Sequence, residues 1–191
     1  MKEKITELLS IFSELGELSN KIEQTADLIV HAFRNGNKIL LCGNGGSAAE
    51  AQHIAAEYVS SLRHEYKRKS LPAIALTTDS SFITSQSNDF GFESIFERQI
   101  ESLGNPGDVL IAISTSGNSI NIINGVRRAI NNNLKVVGLT GKTGGQMKSL
   151  ANILINIPSE KTMRIQECHL FVQHTICELV EEKLFPKHYK I

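Results

Sequence analysis

Apolar residues follow two different periods along this chain. From residue 2 to 34 they return every three or four positions: Ile5, Leu8, Leu9, Phe12 and Leu15, then Ile22, Ala26, Ile29, Val30 and Phe33. That spacing predicts helix, and Gly16 divides the run into two. Arg34-Asn35-Gly36-Asn37 stops the second helix. Residues 38–42 (KILLC) are then a short apolar run, as expected of a strand buried on both faces. The alternation repeats. A glycine loop at 43–47 leads into a helix over 47–62, followed by a strand at 72–76 (PAIAL) and a polar turn. Helical spacing over 92–102 precedes a strand at 108–113 (DVLIAI), a polar loop at 114–119 and a helix over 119–131. A strand at 134–139 (LKVVGL), a short helix near 145–150, a strand at 153–157 (ILINI) and a long helix over 162–184 complete the pattern. Strands alternating with helices predict an α/β fold with a five-stranded parallel sheet sandwiched by helices. Ligands of such sheets sit beyond the carboxyl ends of the strands, so the loops after the first three strands are the informative ones.

Composition narrows the partners. The 191 residues suit a single domain, a helical segment at 1–36 and an α/β core with its last helix at 37–191. Twenty basic and twenty acidic side chains give no net charge. Broad binding to nucleic acid or an anionic membrane needs a basic surplus, so neither is expected, while a local anion site remains open. Cys42, Cys168 and Cys177 form no disulfide framework and are expected to pack as small apolar residues. The first twelve residues, MKEKITELLSIF, mix charge into their apolar positions, unlike a signal peptide. No apolar run approaches the roughly 20 residues that span a bilayer, and the expectation is a soluble, cytoplasmic protein. The N-terminal helices carry more apolar face than one subunit is expected to hide, which predicts oligomerisation.

Four clusters carry candidate chemistry. Cys42-Gly43-Asn44-Gly45-Gly46-Ser47 joins a strand to a helix. Its glycines let a ligand approach the backbone, and the helix start offers N–H groups to an anion; a tight turn capped by Ser47 fits the same residues. In Ile113-Ser114-Thr115-Ser116-Gly117-Asn118-Ser119, four hydroxyls crowd seven positions before a helix. Hydroxyls and N–H groups together make a neutral phosphate cradle, and without a lysine this is not a nucleotide P-loop. The alternative is a capping turn with Ser119 as N-cap. His53 and Glu57 stand four apart and share a helical face, as either metal ligands or a surface hydrogen-bonded pair. Gln166, Glu167, His169 and His174 interrupt an otherwise apolar helix. Gln166 and His174 lie about 12 Å apart along it and reach one metal only by leaning together; satisfied buried polar groups are the other reading.

Taken whole, the chain resembles the sugar isomerase (SIS) family and, within it, the phosphoheptose isomerases. The resemblance rests on GNGGSAAEAQHIAAE at 43–57, ALTTDSS at 75–81, SNDFGFESIFERQI at 87–100, GDVLIAISTSGNS at 107–119 and RIQECHLFVQH at 164–174. It implies a Rossmann-like SIS fold. It also implies interconversion of sedoheptulose 7-phosphate and D-glycero-D-manno-heptose 7-phosphate, for cell-surface polysaccharide such as lipopolysaccharide. By the same resemblance Asn44, Gly45, Gly46 and Ser47 line the sugar-phosphate site. Ser114, Thr115, Ser116 and Ser119 hold the phosphate, and Asn88 and Asp89 contact substrate. His53, Glu57, Gln166 and His174 bind one zinc ion, with Glu57 and His174 as the acid/base pair. A homotetramer with sites near its interfaces is implied as well. Where similar isomerases carry Gly-Arg or Asn-Arg, this chain has Ser60-Ser61, in a segment, 58–71, that is slightly longer than usual. A competing relative is the group of inert SIS proteins that bind the replication initiator, whose tails resemble Leu184-Phe185-Pro186 but which lack the acid/base residues.

Overall fold

The computed structural model describes residues 1–63, 65 and 67–187. Five strands, β1 (Ile39–Gly43), β2 (Ala73–Ala75), β3 (Val109–Ile113), β4 (Lys135–Thr140) and β5 (Ile153–Asn156), form one sheet in the order β2-β1-β3-β4-β5. All four pairings are parallel, with Ile39 beside both Ala73 and Val109. Every residue of β1 and β3 is buried, which is why these strands read as continuous apolar runs. The helices are α1 (Lys2–Glu14), α2 (Ser19–Arg34), α3 (Gly46–Val59), α4 (Ser80–Phe90), α5 (Ile95–Leu103), α6 (Ile120–Asn131) and α7 (Thr162–Leu184). A short 3-10 turn at Leu15–Leu18 separates α1 from α2, at the glycine expected to break them.

Two cores flank the sheet. One packs Ile39, Leu41 and Ile111 against α2, α3 and α7 through Ala26, Ile29, Ile54, Val172 and Ile176. The other packs Leu40, Leu110 and Val136 against α5 and α6 through Phe96, Ile100, Ile122 and Val126. The three cysteines are free and buried. The chain runs from β1 outward to β2 and then returns to β3 on the other side of β1. The loops leaving β1 and β3 therefore part at their carboxyl ends and leave a crevice between them.

The polar turn expected after β2 is instead the eleven-residue helix α4. Its residues are rich in Ser, Thr, Gln and Asn, and none is buried in the chain alone, so no apolar stripe marks it. What starts it is local: Asp79 caps it, its Oδ1 accepting from the Phe82 N–H at 2.9 Å. Helix α3 also ends at Val59, three residues short of the expected end. Among the described residues no helix is long and apolar enough to cross a membrane.

Candidate active site

The glycine loop and the hydroxyl loop meet at the crevice between β1 and β3. Asn44, Gly45, Gly46 and Ser47 line one side of a cleft of about 310 Å³; Ile113, Ser114, Thr115 and Ser119 line another, and Thr162 and Gln166 of α7 close it. Gly45, not Ser47, is the N-cap of α3, and Ser47 lies buried in the first helical turn. The N-terminus of α3 thus opens onto the cleft, where the positive end of the helix dipole favours an anion. Gly46 sits so close to α7 that a Cβ there would stand 2.5 Å from Gln166 Nε2.

The two loops are locked to each other. Asn44 Nδ2 donates to Asn121 Oδ1 at 2.9 Å, and Asn121 Nδ2 returns a bond to Asn44 Oδ1 at 2.8 Å. Asn121 Oδ1 also accepts from the Ile122 N–H. Asn121, a buried amide among isoleucines in the first turn of α6, escaped the sequence reading; a polar residue inside that apolar run was its only signal. Ser119 occupies the N-cap position of α6 but makes no capping bond; its hydroxyl instead accepts from Ser114 Oγ at 3.1 Å. Ser116 points elsewhere: it is exposed, and its Oγ accepts from the Asn118 N–H. Gly117, at φ +67°, packs against the Gly144 carbonyl, where a side chain would collide. The cradle offers hydroxyls and N–H groups without a cationic side chain in its lining.

Further along α3, His53 and Glu57 meet His174 of α7. The ligand atoms of the three all lie within 4.8 Å of one another. His53 Nε2 is 2.8 Å from His174 Nε2, with the rings nearly perpendicular, and 3.7 Å from Glu57 Oε1. Two imidazole nitrogens aimed at one point beside a carboxylate are a donor set that fits a divalent metal ion. Burial, the nearby His53 charge and, opposing them, Glu57 together leave the His174 pKa lowered. Gln166, two turns earlier on α7, stands at the cleft end of the site.

Between cleft and trio lies a buried polar step. Gln173 Nε2 donates to Glu50 Oε2 at 3.2 Å, and His169 Nδ1 lies 4.0 Å from the same oxygen. Burial pushes the Glu50 pKa up to about 7 and that of His169 down to about 4. The neutral His169 ring therefore donates from Nε2 to the Thr140 carbonyl. Asn88 and Asp89 do not join this crevice in the single chain. They sit exposed at the end of α4, with Asn88 Nδ2 donating to Asp89 Oδ1. Wider hollows of about 420 and 570 Å³ beside α4 and α5 hold Arg98, Arg128, Glu97 and Glu101, whose charges pair with one another.

Comparison with known proteins agrees with this geometry. The SIS domain family model matches residues 2–141. A phosphoheptose isomerase of Aliarcobacter butzleri is 46% identical, over 96% of each chain. One from Roseiflexus is 54% identical over 84% of this chain and 80% of its own. The solved phosphoheptose isomerase of Neisseria gonorrhoeae superposes with a TM-score of 0.89 at 39% identity, covering 95% of this chain and 96% of that one.

Proposed function

The chain belongs to the phosphoheptose isomerases of the SIS domain family, and we propose from its site that it interconverts sedoheptulose 7-phosphate and D-glycero-D-manno-heptose 7-phosphate through an enediol. One observation carries this reading: a neutral anion cleft and a titratable trio share the seam between α3 and α7. Ser47 and His53 lie six residues apart on α3, about 9 Å of rise. That span suits a sugar phosphate anchored at one end and reacting at the other.

In this reading the phosphate sits against Ser114, Thr115 and Ser119 and the N-terminus of α3, while Asn44, Gly45, Gly46, Ser47 and Gln166 flank the sugar. Neutral donors hold a dianion less tightly than cationic ones and let product leave. Glu57 takes the proton from C1 of the open-chain ketose and returns it to C2. His174 moves the hydroxyl proton between the two oxygens, so the enediol forms and collapses without net gain or loss of protons. A divalent ion, zinc by the borderline character of the donors, would be held by His53, Glu57 and His174 with Gln166 and would supply positive charge beside the developing enediolate.

A homotetramer is part of the proposal. Ile5 and Leu9 of α1 and Met163 and Phe171 of α7 leave large apolar side chains exposed, as do Phe90 and Phe92 beside Asn88 and Asp89. Burial of these faces between subunits would bring Asn88 and Asp89 toward a neighbouring site. We place the enzyme in the cytoplasm, supplying heptose for lipopolysaccharide or a related surface polysaccharide. The initiator-binding reading is disfavoured: Glu57 and His174 meet in one cluster, and Phe185 packs on the chain's own core and under Arg68. Incubation with sedoheptulose 7-phosphate tests the choice: the aldose appears if the chain is an isomerase, and substrate persists if it is an inert binder.

A further inference from the structure

Helix α3 has to end two residues after the proposed base, and its last carbonyls lack helical partners. The Ala56 carbonyl accepts from the Ser60 N–H and the Tyr58 carbonyl from the Leu71 N–H, and one side chain reaches both Glu57 and Tyr58. Arg68, in the loop that returns to β2, is buried with its guanidinium spread over three directions. Nη2 donates to the Glu57 carbonyl at 2.7 Å, and Nη1 donates to the carbonyls of Tyr58 and Lys69 at 3.0 Å. Nε donates to Glu181 Oε1 at 2.5 Å, where both side chains are only 2% exposed. The guanidinium carbon also lies 5.7 Å from the centre of the Phe185 ring. Glu181 further accepts from the Leu62 N–H at 3.1 Å, so it gathers the chain leaving α3 as well.

Glu181 belongs to α7, seven residues beyond His174, and therefore lies on nearly the same face two turns away. The ion pair thus joins the end of the helix that carries Glu57 to the helix that carries His174. Leu62 and Arg68, on the stretch after Ser60-Ser61 where this chain departs from similar isomerases, are both tied to α7 through the same carboxylate.

We propose that Arg68, held by Glu181, is a positioning residue for Glu57: it caps the last turn of α3 and fixes where the Glu57 carboxylate stands relative to His174. This rests on the isomerase reading for its kinetic consequence, but not for its effect on the site itself. The fork is what matters. A lysine keeps the charge and most of the volume but cannot hold a carboxylate and three carbonyls in one plane. A buried pair is also a poor stabiliser compared with apolar residues of similar size, so retaining stability alone is a weak reason for it.

Two variants test this, Arg68→Lys and the double variant Arg68→Met with Glu181→Met, which removes both charges of the pair. Each is measured for kcat, KM, melting temperature and, after metal stripping, zinc affinity by calorimetry. Expected are folded proteins with kcat and zinc affinity each down by about tenfold or more, as for residues that orient a ligand from behind. KM for the sugar phosphate should stay within about twofold, because the phosphate cleft lies at the other end of α3. Wild-type kcat and zinc affinity in both variants would overturn the proposal, and so would failure of both to fold, which would make Arg68 scaffold alone. If the wild type itself is inert, the isomerase reading fails, while the zinc affinities still decide the role of Arg68.

Discussion

The two ends of the α3–α7 seam do different work with different materials. At the cleft, the groups are backbone N–H and hydroxyl, set by two loops that are rigid because Asn44 and Asn121 bond reciprocally and Gly117 packs on Gly144. At the trio, the groups are titratable side chains on two helices, and their spacing depends on how those helices pack. A backbone cradle keeps its shape under most single substitutions at neighbouring positions, whereas a side-chain trio loses its function with one atom. Binding should therefore be tunable at the cleft, and turnover should be all-or-none at the trio.

The largest expected effect follows from that contrast. Glu57→Gln keeps an oxygen for a metal but cannot accept a proton, so kcat should fall by about 10²–10⁴-fold with KM little changed. Steady-state kinetics of the purified variant, beside size analysis to check that its assembly is kept, measures this; turnover near wild type would remove Glu57 from the chemistry. Next is Ser119→Asp, which sets a carboxylate against the phosphate. A like-charge contact near a protein surface costs about 4 kcal/mol, so KM should rise by at least roughly 10²-fold. Ser116→Asp, at an exposed hydroxyl already engaged by Asn118, should raise KM less; equal effects would mean that both hydroxyls face the ligand.

The same contrast explains what could be read from residues alone. The cleft loops are contiguous, Asn44 to Ser47 and Ser114 to Ser119, and each follows an apolar strand, so their place at the strand ends was legible. The trio joins residues 121 positions apart, and the helix spacing of Gln166 and His174 left a shared metal only possible. Their meeting depends on how α3 packs against α7, which no local period encodes. Helix α4 was missed because none of its residues is fully buried within one chain and only Ile83 packs on the core there. Arg68 was missed because an arginine between Lys67 and Lys69 in a charged loop looks like solvated surface until its carbonyl partners are placed around it.

Smaller effects probe the join between the two regions. Gly46→Ala would push on Gln166, whose flexible side chain can yield, so kcat/KM should fall only several-fold, about 1 kcal/mol. A loss as large as that of Glu57→Gln would show that Gln166, shared between cleft and trio, cannot yield without disrupting the chemistry. Smallest is Glu50→Gln, read as stability. With its pKa raised from 4.5 to about 7, Glu50 contributes stability that is present below pH 4.5 and lost as pH rises through 7. The glutamine variant lacks that loss, so its melting temperature relative to wild type should be higher by a few degrees at pH 8 than at pH 4.5. A pH-independent difference would mean that Glu50 is not the group that titrates there.

The most direct test follows sedoheptulose 7-phosphate by NMR with wild-type protein in deuterated water. Proton transfer through an exchanging base should yield the aldose 7-phosphate with deuterium at C2, and Glu57→Gln should slow this by about 10²-fold or more. Unchanged substrate with wild type, or an aldose formed at full rate by Glu57→Gln, would contradict the assignment of an isomerase driven by Glu57 and His174.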